Sequence, residues 1–81
     1  MNDITIHMKL FGGFRKFGES LDFSVPAGST VVAIKATLQE KLNGDRLVLD
    51  SVLANDSNIL RDNDILSSDT ELSILPPVCG G

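Results

Sequence analysis

Ile4, Ile6, Met8 and Leu10 alternate with Thr5, His7 and Lys9, a period of two that predicts a β-strand with one buried face. Leu21-Asp22-Phe23-Ser24-Val25 alternates in the same way and predicts a second strand, paired with the first as a hairpin. Between them, Gly12 to Gly18 lacks the Lys-Ser/Thr ending of a P-loop and the glycine spacing of a dinucleotide fingerprint, so it reads as a turn with a helical turn inside it. Phe14 and Phe17, three apart, are placed to cap the core together. Pro26-Ala27-Gly28 ends the second strand, and Ser29 or Thr30 then caps a helix. Val31, Ile34, Leu38 and Leu42 fall on one helical face, with Lys35, Gln39 and Glu40 expected off it. Asn43-Gly44 supplies the stop.

The second half reads as short strands joined by polar turns. Leu47 to Ala54 is apolar-rich and should hold a third strand within it. A turn over Asn55 to Asn58 precedes a short Ile59-Leu60 strand; after a second polar turn, Arg61 to Asp64, Ile65-Leu66 and a Ser67 to Thr70 turn lead into the final strand. The final strand, Leu72 to Leu75, turns Leu72 and Ile74 toward the core. Two residues break the pattern: Phe11 and Leu75 are apolar at outward-facing parity, and Phe11 reads either as an irregularity at the strand end or as an exposed anchor for a partner. Two strands, a helix and further strands give an α+β architecture. A helix packed across one face of a mixed sheet, with the last strand beside the first, is the β-grasp arrangement that ubiquitin also has. The expected division is a β-grasp domain over residues 1–75 and a flexible tail over 76–81.

Composition narrows the function. The chain has 81 residues, enough for one domain, with 42% hydrophobic and 22% charged residues. No apolar stretch is long enough for a membrane span, and the N-terminal residues lack a secretory pattern, so the cytoplasm is the expected location. The single cysteine fits a reducing compartment. A net charge of −4 disfavours nucleic-acid binding through a basic face. One His, no Tyr and no Trp leave no catalytic triad, Cys/His cluster or metal-ligand spacing. A self-contained enzyme is hard to build from this set, and neither a bound cofactor nor a metal is expected. The acidic turn starting at Asp62 fails as a calcium loop, since it lacks the required glycine and puts Ser73 where the bidentate Glu belongs.

The remaining chemistry lies in the last six residues, Pro76-Pro77-Val78-Cys79-Gly80-Gly81. The prolines remove N–H donors and fix φ, so the strand ladder should stop there and the chain leave as a stiff arm. Six residues past Leu75 span up to roughly 20 Å. Gly80 and Gly81, without Cβ atoms, can enter a channel too narrow for side chains. This reads as a carboxylate on a stalk, delivered into another protein's active site.

The ending Leu75-Pro76-Pro77-Val78-Cys79-Gly80-Gly81 resembles that of the MoaD/ThiS family of β-grasp sulfur carriers, and most of all its MoaD branch, the small subunits of molybdopterin synthase. The resemblance covers essentially the whole chain, including Leu10-Phe11, Arg15, Thr30-Val31 and Glu71. The chain departs from the family's usual pattern at Asp69-Thr70 and at Lys16. The resemblance implies that a MoeB-like activating enzyme, using ATP and Mg, adenylates Gly81. A persulfide donor then supplies sulfur, giving a C-terminal thiocarboxylate. Pro76, Pro77, Val78, Cys79 and Gly80 would be the part inserted into a MoaE-like catalytic subunit, within a heterotetramer. Phe11, Ile59 and Leu75 match the family's apolar partner surface. Cys79 reads as a small side chain that fits the channel. Carriers for thiazole or tRNA thiolation, and a ubiquitin-like protein modifier, are the alternative readings.

Overall fold

The computed structural model describes residues 2–76. Strands β1 (Asp3–Leu10) and β2 (Ser20–Pro26) form the opening antiparallel hairpin, with Ile6 opposite Phe23 and His7 opposite Asp22. A 3-10 helix over Gly12–Phe17 joins them and drives Phe14 fully into the core, with Phe17 packed partly buried at its margin. After β3 (Ser29–Thr30) comes the one α-helix among the described residues, α1 (Val31–Lys41). A second 3-10 helix (Arg46–Asp50) leads to β4 (Val52–Ala54), β5 (Ile59–Leu60), β6 (Ile65–Leu66) and β7 (Thr70–Leu75). Five strands form a mixed sheet in the order β2-β1-β7-β4-β5, while β3 and β6 pair separately. β7 lies parallel to β1 and antiparallel to β4, so the last strand occupies the centre of the sheet.

The alternation along β1 and β7 explains the core. Ile4, Ile6, Met8, Leu10, Leu72 and Ile74 all point to one side, where they meet Val31, Ile34, Leu38 and Leu42 of the helix. All ten are buried. The helix is capped by Thr30, whose backbone is extended and whose side-chain oxygen accepts the Ala33 N–H at 3.3 Å. Replacing Thr30 by Ala removes that acceptor and should cost about 1 kcal/mol, read as a lower denaturation midpoint with an unchanged slope. The helix ends as the Asn43-Gly44 pair predicts: both adopt left-handed backbone, and the Gly44 N–H donates to the Gln39 carbonyl at 2.8 Å.

Three features refine or correct the sequence reading. The third strand expected within Leu47 to Ala54 is confined to Val52–Ala54, and the first half of the segment is the 3-10 helix. Asp45 accepts from the Leu47 N–H at 3.0 Å, and the Ser51 hydroxyl donates to the Leu47 carbonyl at 2.6 Å. These local bonds compete with a sheet ladder and win, while Val48 is buried. Lys35 is not on the solvent face; it is only 8% exposed. Its stem is covered by the body while its ammonium meets the exposed Asp62 carboxylate at 3.1 Å. The β3–β6 pair is a second small sheet that the strand pattern did not predict.

The acidic turn over 61–64 has a structural use. The carbonyls of Asp64 and Asp62 accept the N–H groups of Val31 and Val32, which the first helical turn cannot satisfy internally. Asp64 also accepts from the Arg61 N–H at 2.9 Å. Both departures from the family pattern are held by side-chain contacts: Asp69 accepts the Thr5 N–H at 2.8 Å, and Lys16 pairs with Asp45 at 3.6 Å.

Candidate functional site

The face of the sheet away from α1 has two regions. At one end it is polar: His7 contacts Asp22 across the hairpin, and Lys9 lies 3.2 Å from Glu71. These pairs are solvent-exposed, so they add little to stability and serve mainly to keep that end hydrated. At the other end the face becomes apolar. Leu75 stands opposite Val52, and Ala54 opposite Ile59. Registered partners share a face, so all four side chains lie on the outer side while Leu53, Leu60 and Ile74 point inward. Phe11 follows Leu10, which is registered with Ile74; it therefore sits beside Leu75.

The result is an apolar strip across four strands: Phe11, Leu75, Val52, Ala54 and Ile59. Phe11 and Leu75 are each 37% exposed and Ile59 67%, while Val52 and Ala54 are half-buried beneath them. Apolar side chains grouped on a charged domain make this strip a candidate interaction surface. Next to Phe11 a shallow cleft of about 250 Å³ is lined by His7, Lys9, Arg15 and Glu19. It places cationic groups at the rim of the strip.

The three interface residues expected from the sequence therefore share one face. Two further members, Val52 and Ala54, were missed. Their signal was available in the alternation around Leu53, but it was hidden inside an apolar run that is helical in its first half. Of the expected tail residues, Pro76 is half-buried, directly after the end of β7. Pro77, Val78, Cys79, Gly80 and Gly81 lie outside the described residues. Among the described residues no group of His, Cys, Asp or Glu is arranged to hold a metal ion, and no helix is long and apolar enough to cross a membrane.

The fold and this strip define a ubiquitin-like β-grasp domain whose apolar sheet face adjoins the root of its C-terminal segment. The chain belongs to the ThiS family, whose model matches residues 8–81. Its fold is similar to that of SAMP1 from Haloferax volcanii, with a TM-score of 0.77 at 18% identity, covering 95% of this chain and 99% of that one. A Pyrococcus furiosus protein assigned as molybdopterin converting factor, subunit 1, gives a TM-score of 0.77 at 15% identity, covering 93% and 99%. The N-terminal ubiquitin-like domain of the 4931431F19Rik protein gives 0.70 at 22% identity, covering 98% and 79%. No curated protein sequence matches the chain significantly. These findings make it a small protein of the MoaD/ThiS sulfur-carrier or ubiquitin-like kind.

Proposed function

We propose that this chain is the sulfur carrier of a molybdopterin synthase. The observation that carries the reading is the ending Pro-Pro-Val-Cys-Gly-Gly placed directly after a central strand whose last residue, Leu75, belongs to an exposed apolar strip. A carboxylate is a poor electrophile at neutral pH. In the proposed sequence the Gly81 carboxylate attacks the α-phosphorus of ATP in a MoeB-like activating enzyme. An acyl adenylate forms and pyrophosphate leaves. The terminal sulfur of a persulfide then attacks the acyl carbon and AMP departs. A thiol cleaves the resulting acyl disulfide, reducing it to the thiocarboxylate.

The loaded tail next enters a MoaE-like catalytic subunit and gives its sulfur to a pterin precursor; two such donations build a dithiolene. The carrier provides the acyl sulfur and the docking strip. The partners provide the nucleotide site, the Mg and the acid–base groups. Both reactions take place in the cytoplasm in this reading, and a carrier paired with a dimeric catalytic subunit would make a heterotetramer.

Two features support molybdopterin over thiazole or tRNA thiolation: the Pro-Pro arm and the likeness to the Pyrococcus furiosus molybdopterin converting factor subunit. The similarity to SAMP1 and to a ubiquitin-like domain keeps a protein modifier as the second reading. Intact mass separates carrier from inert module. After incubation with activating enzyme, ATP and a sulfur donor, the mass should rise by the difference between one sulfur and one oxygen. An unchanged mass, with an activating enzyme shown to be competent, overturns the carrier reading. Isopeptide-linked conjugates in place of the thiocarboxylate would favour the modifier, and co-purification with a MoaE-like subunit would favour molybdopterin synthase.

A further inference from the structure

We propose that Gly12 is a positioning residue for the C-terminal tail: its missing side chain leaves the space in which the Pro76 ring seats, and that seat sets the direction in which the tail leaves the body. The proposal rests on the carrier reading for its purpose, but its geometry stands apart from that reading.

Five glycines lie among the described residues, and Gly12 differs from the other four. Gly12, Gly18, Gly28 and Gly44 all have positive φ, so each is favoured as glycine by its turn. At Gly28 and Gly44 a Cβ would meet nothing within 4 Å, and at Gly18 it would make only an ordinary contact at 3.9 Å. Gly13 likewise meets only the Leu47 side chain, at 3.9 Å. At Gly12, with φ +58°, a Cβ would fall 2.6 Å from Cγ of Pro76 and 3.4 Å from Cδ. One residue therefore combines a left-handed backbone with a space already filled by the base of the tail.

Both sides of this contact are held. Gly12 lies between Leu10, which is paired with Ile74, and the fully buried Phe14, whose N–H donates to the Phe11 carbonyl at 3.1 Å. Pro76 follows β7 directly, and its ring fixes φ. At 2.6 Å a Cβ at position 12 and the Pro76 ring cannot both keep their places, so the contact must open. A small rotation at Pro76 is amplified along an arm that spans up to roughly 17 Å over the five residues beyond it. A misplacement of even about 1 Å at a reacting group can cost on the order of 100-fold in rate.

Asn tolerates left-handed backbone, so Gly12→Asn keeps the turn and fills the space. Pro76→Ala removes Cγ and Cδ without touching the turn. Chain exit is read with a nitroxide on Cys79, the only cysteine, from the body amides it broadens in NMR spectra. Gly12→Asn should move that set of amides, and Pro76→Ala should spread it. Adding Gly12→Asn to Pro76→Ala should change nothing further, because the clash is gone. With activating enzyme, ATP and a sulfur donor, Gly12→Asn should lower kcat/KM for thiocarboxylation by about tenfold or more in the parent chain, and much less in the Pro76→Ala background.

An amide set left unchanged by Gly12→Asn overturns the proposal. So does a Gly12→Asn defect of equal size in both backgrounds. If Gly12→Asn does not fold, an amide set unaltered by Pro76→Ala overturns it alone. A moved amide set in a chain whose parent never gains sulfur would keep the positioning role and reject the carrier reading.

Discussion

Removing Gly81 is expected to abolish sulfur loading, with the rate falling by at least about 100-fold. The truncated chain ends on Gly80, so its maximum reach is shorter by about 3.3–3.6 Å. Adenylation needs the carboxylate oxygen in line with the α-phosphorus, which the shorter chain would present out of place. Among the described residues the sheet ends at Leu75, six positions before Gly81, so the melting temperature should not change. Intact mass after incubation with activating enzyme, ATP and a sulfur donor provides the check. A truncated chain that gains sulfur as fast as its parent would show that position along the arm is irrelevant.

Leu75→Asp is expected to weaken binding to the catalytic subunit by at least about 2 kcal/mol, roughly 30-fold in Kd. Leu75 sits between Phe11 and Val52 in the middle of the apolar strip, where a docked partner would exclude water. A carboxylate there is desolvated without a counter-charge. In the free carrier the same position is 37% exposed, so the charge stays hydrated and stability should change by no more than about 1 kcal/mol, the span of strand propensities. Ile59→Asp is the companion test, since Ile59 is 67% exposed in a two-residue strand. Calorimetry against the catalytic subunit measures both. Unaltered affinity in both variants would move the docking surface elsewhere.

Much of this architecture is legible in the chain because β1, α1 and β7 have clean periods. Ile4 to Leu10 alternate strictly, and Val31, Ile34, Leu38 and Leu42 keep one helical face, so propensity, pattern and burial agree. The 3-10 helix at Arg46–Asp50 was not legible, because a short apolar run fits a strand or a buried helical turn equally well. What decides it is Asp45 and Ser51 bonding locally to residue 47. β3 and β6 are two residues each, too short to carry any period. Within the site, Phe11 and Leu75 stood out by parity and Ile59 through family resemblance. The Gly12–Pro76 contact joins residues 64 positions apart, and no local pattern encodes it.

The placement of β7 has a mechanical consequence. If the tail is inserted in a partner as proposed, withdrawing it would put tension on the body through Leu75. β7 is flanked by β1 on one side and β4 on the other, so the pull is spread over two ladders as shear. A strand at the border of the sheet would instead unzip one bond at a time. In the proposed role the body would thus withstand repeated tugs on its tail without its own scaffold coming apart.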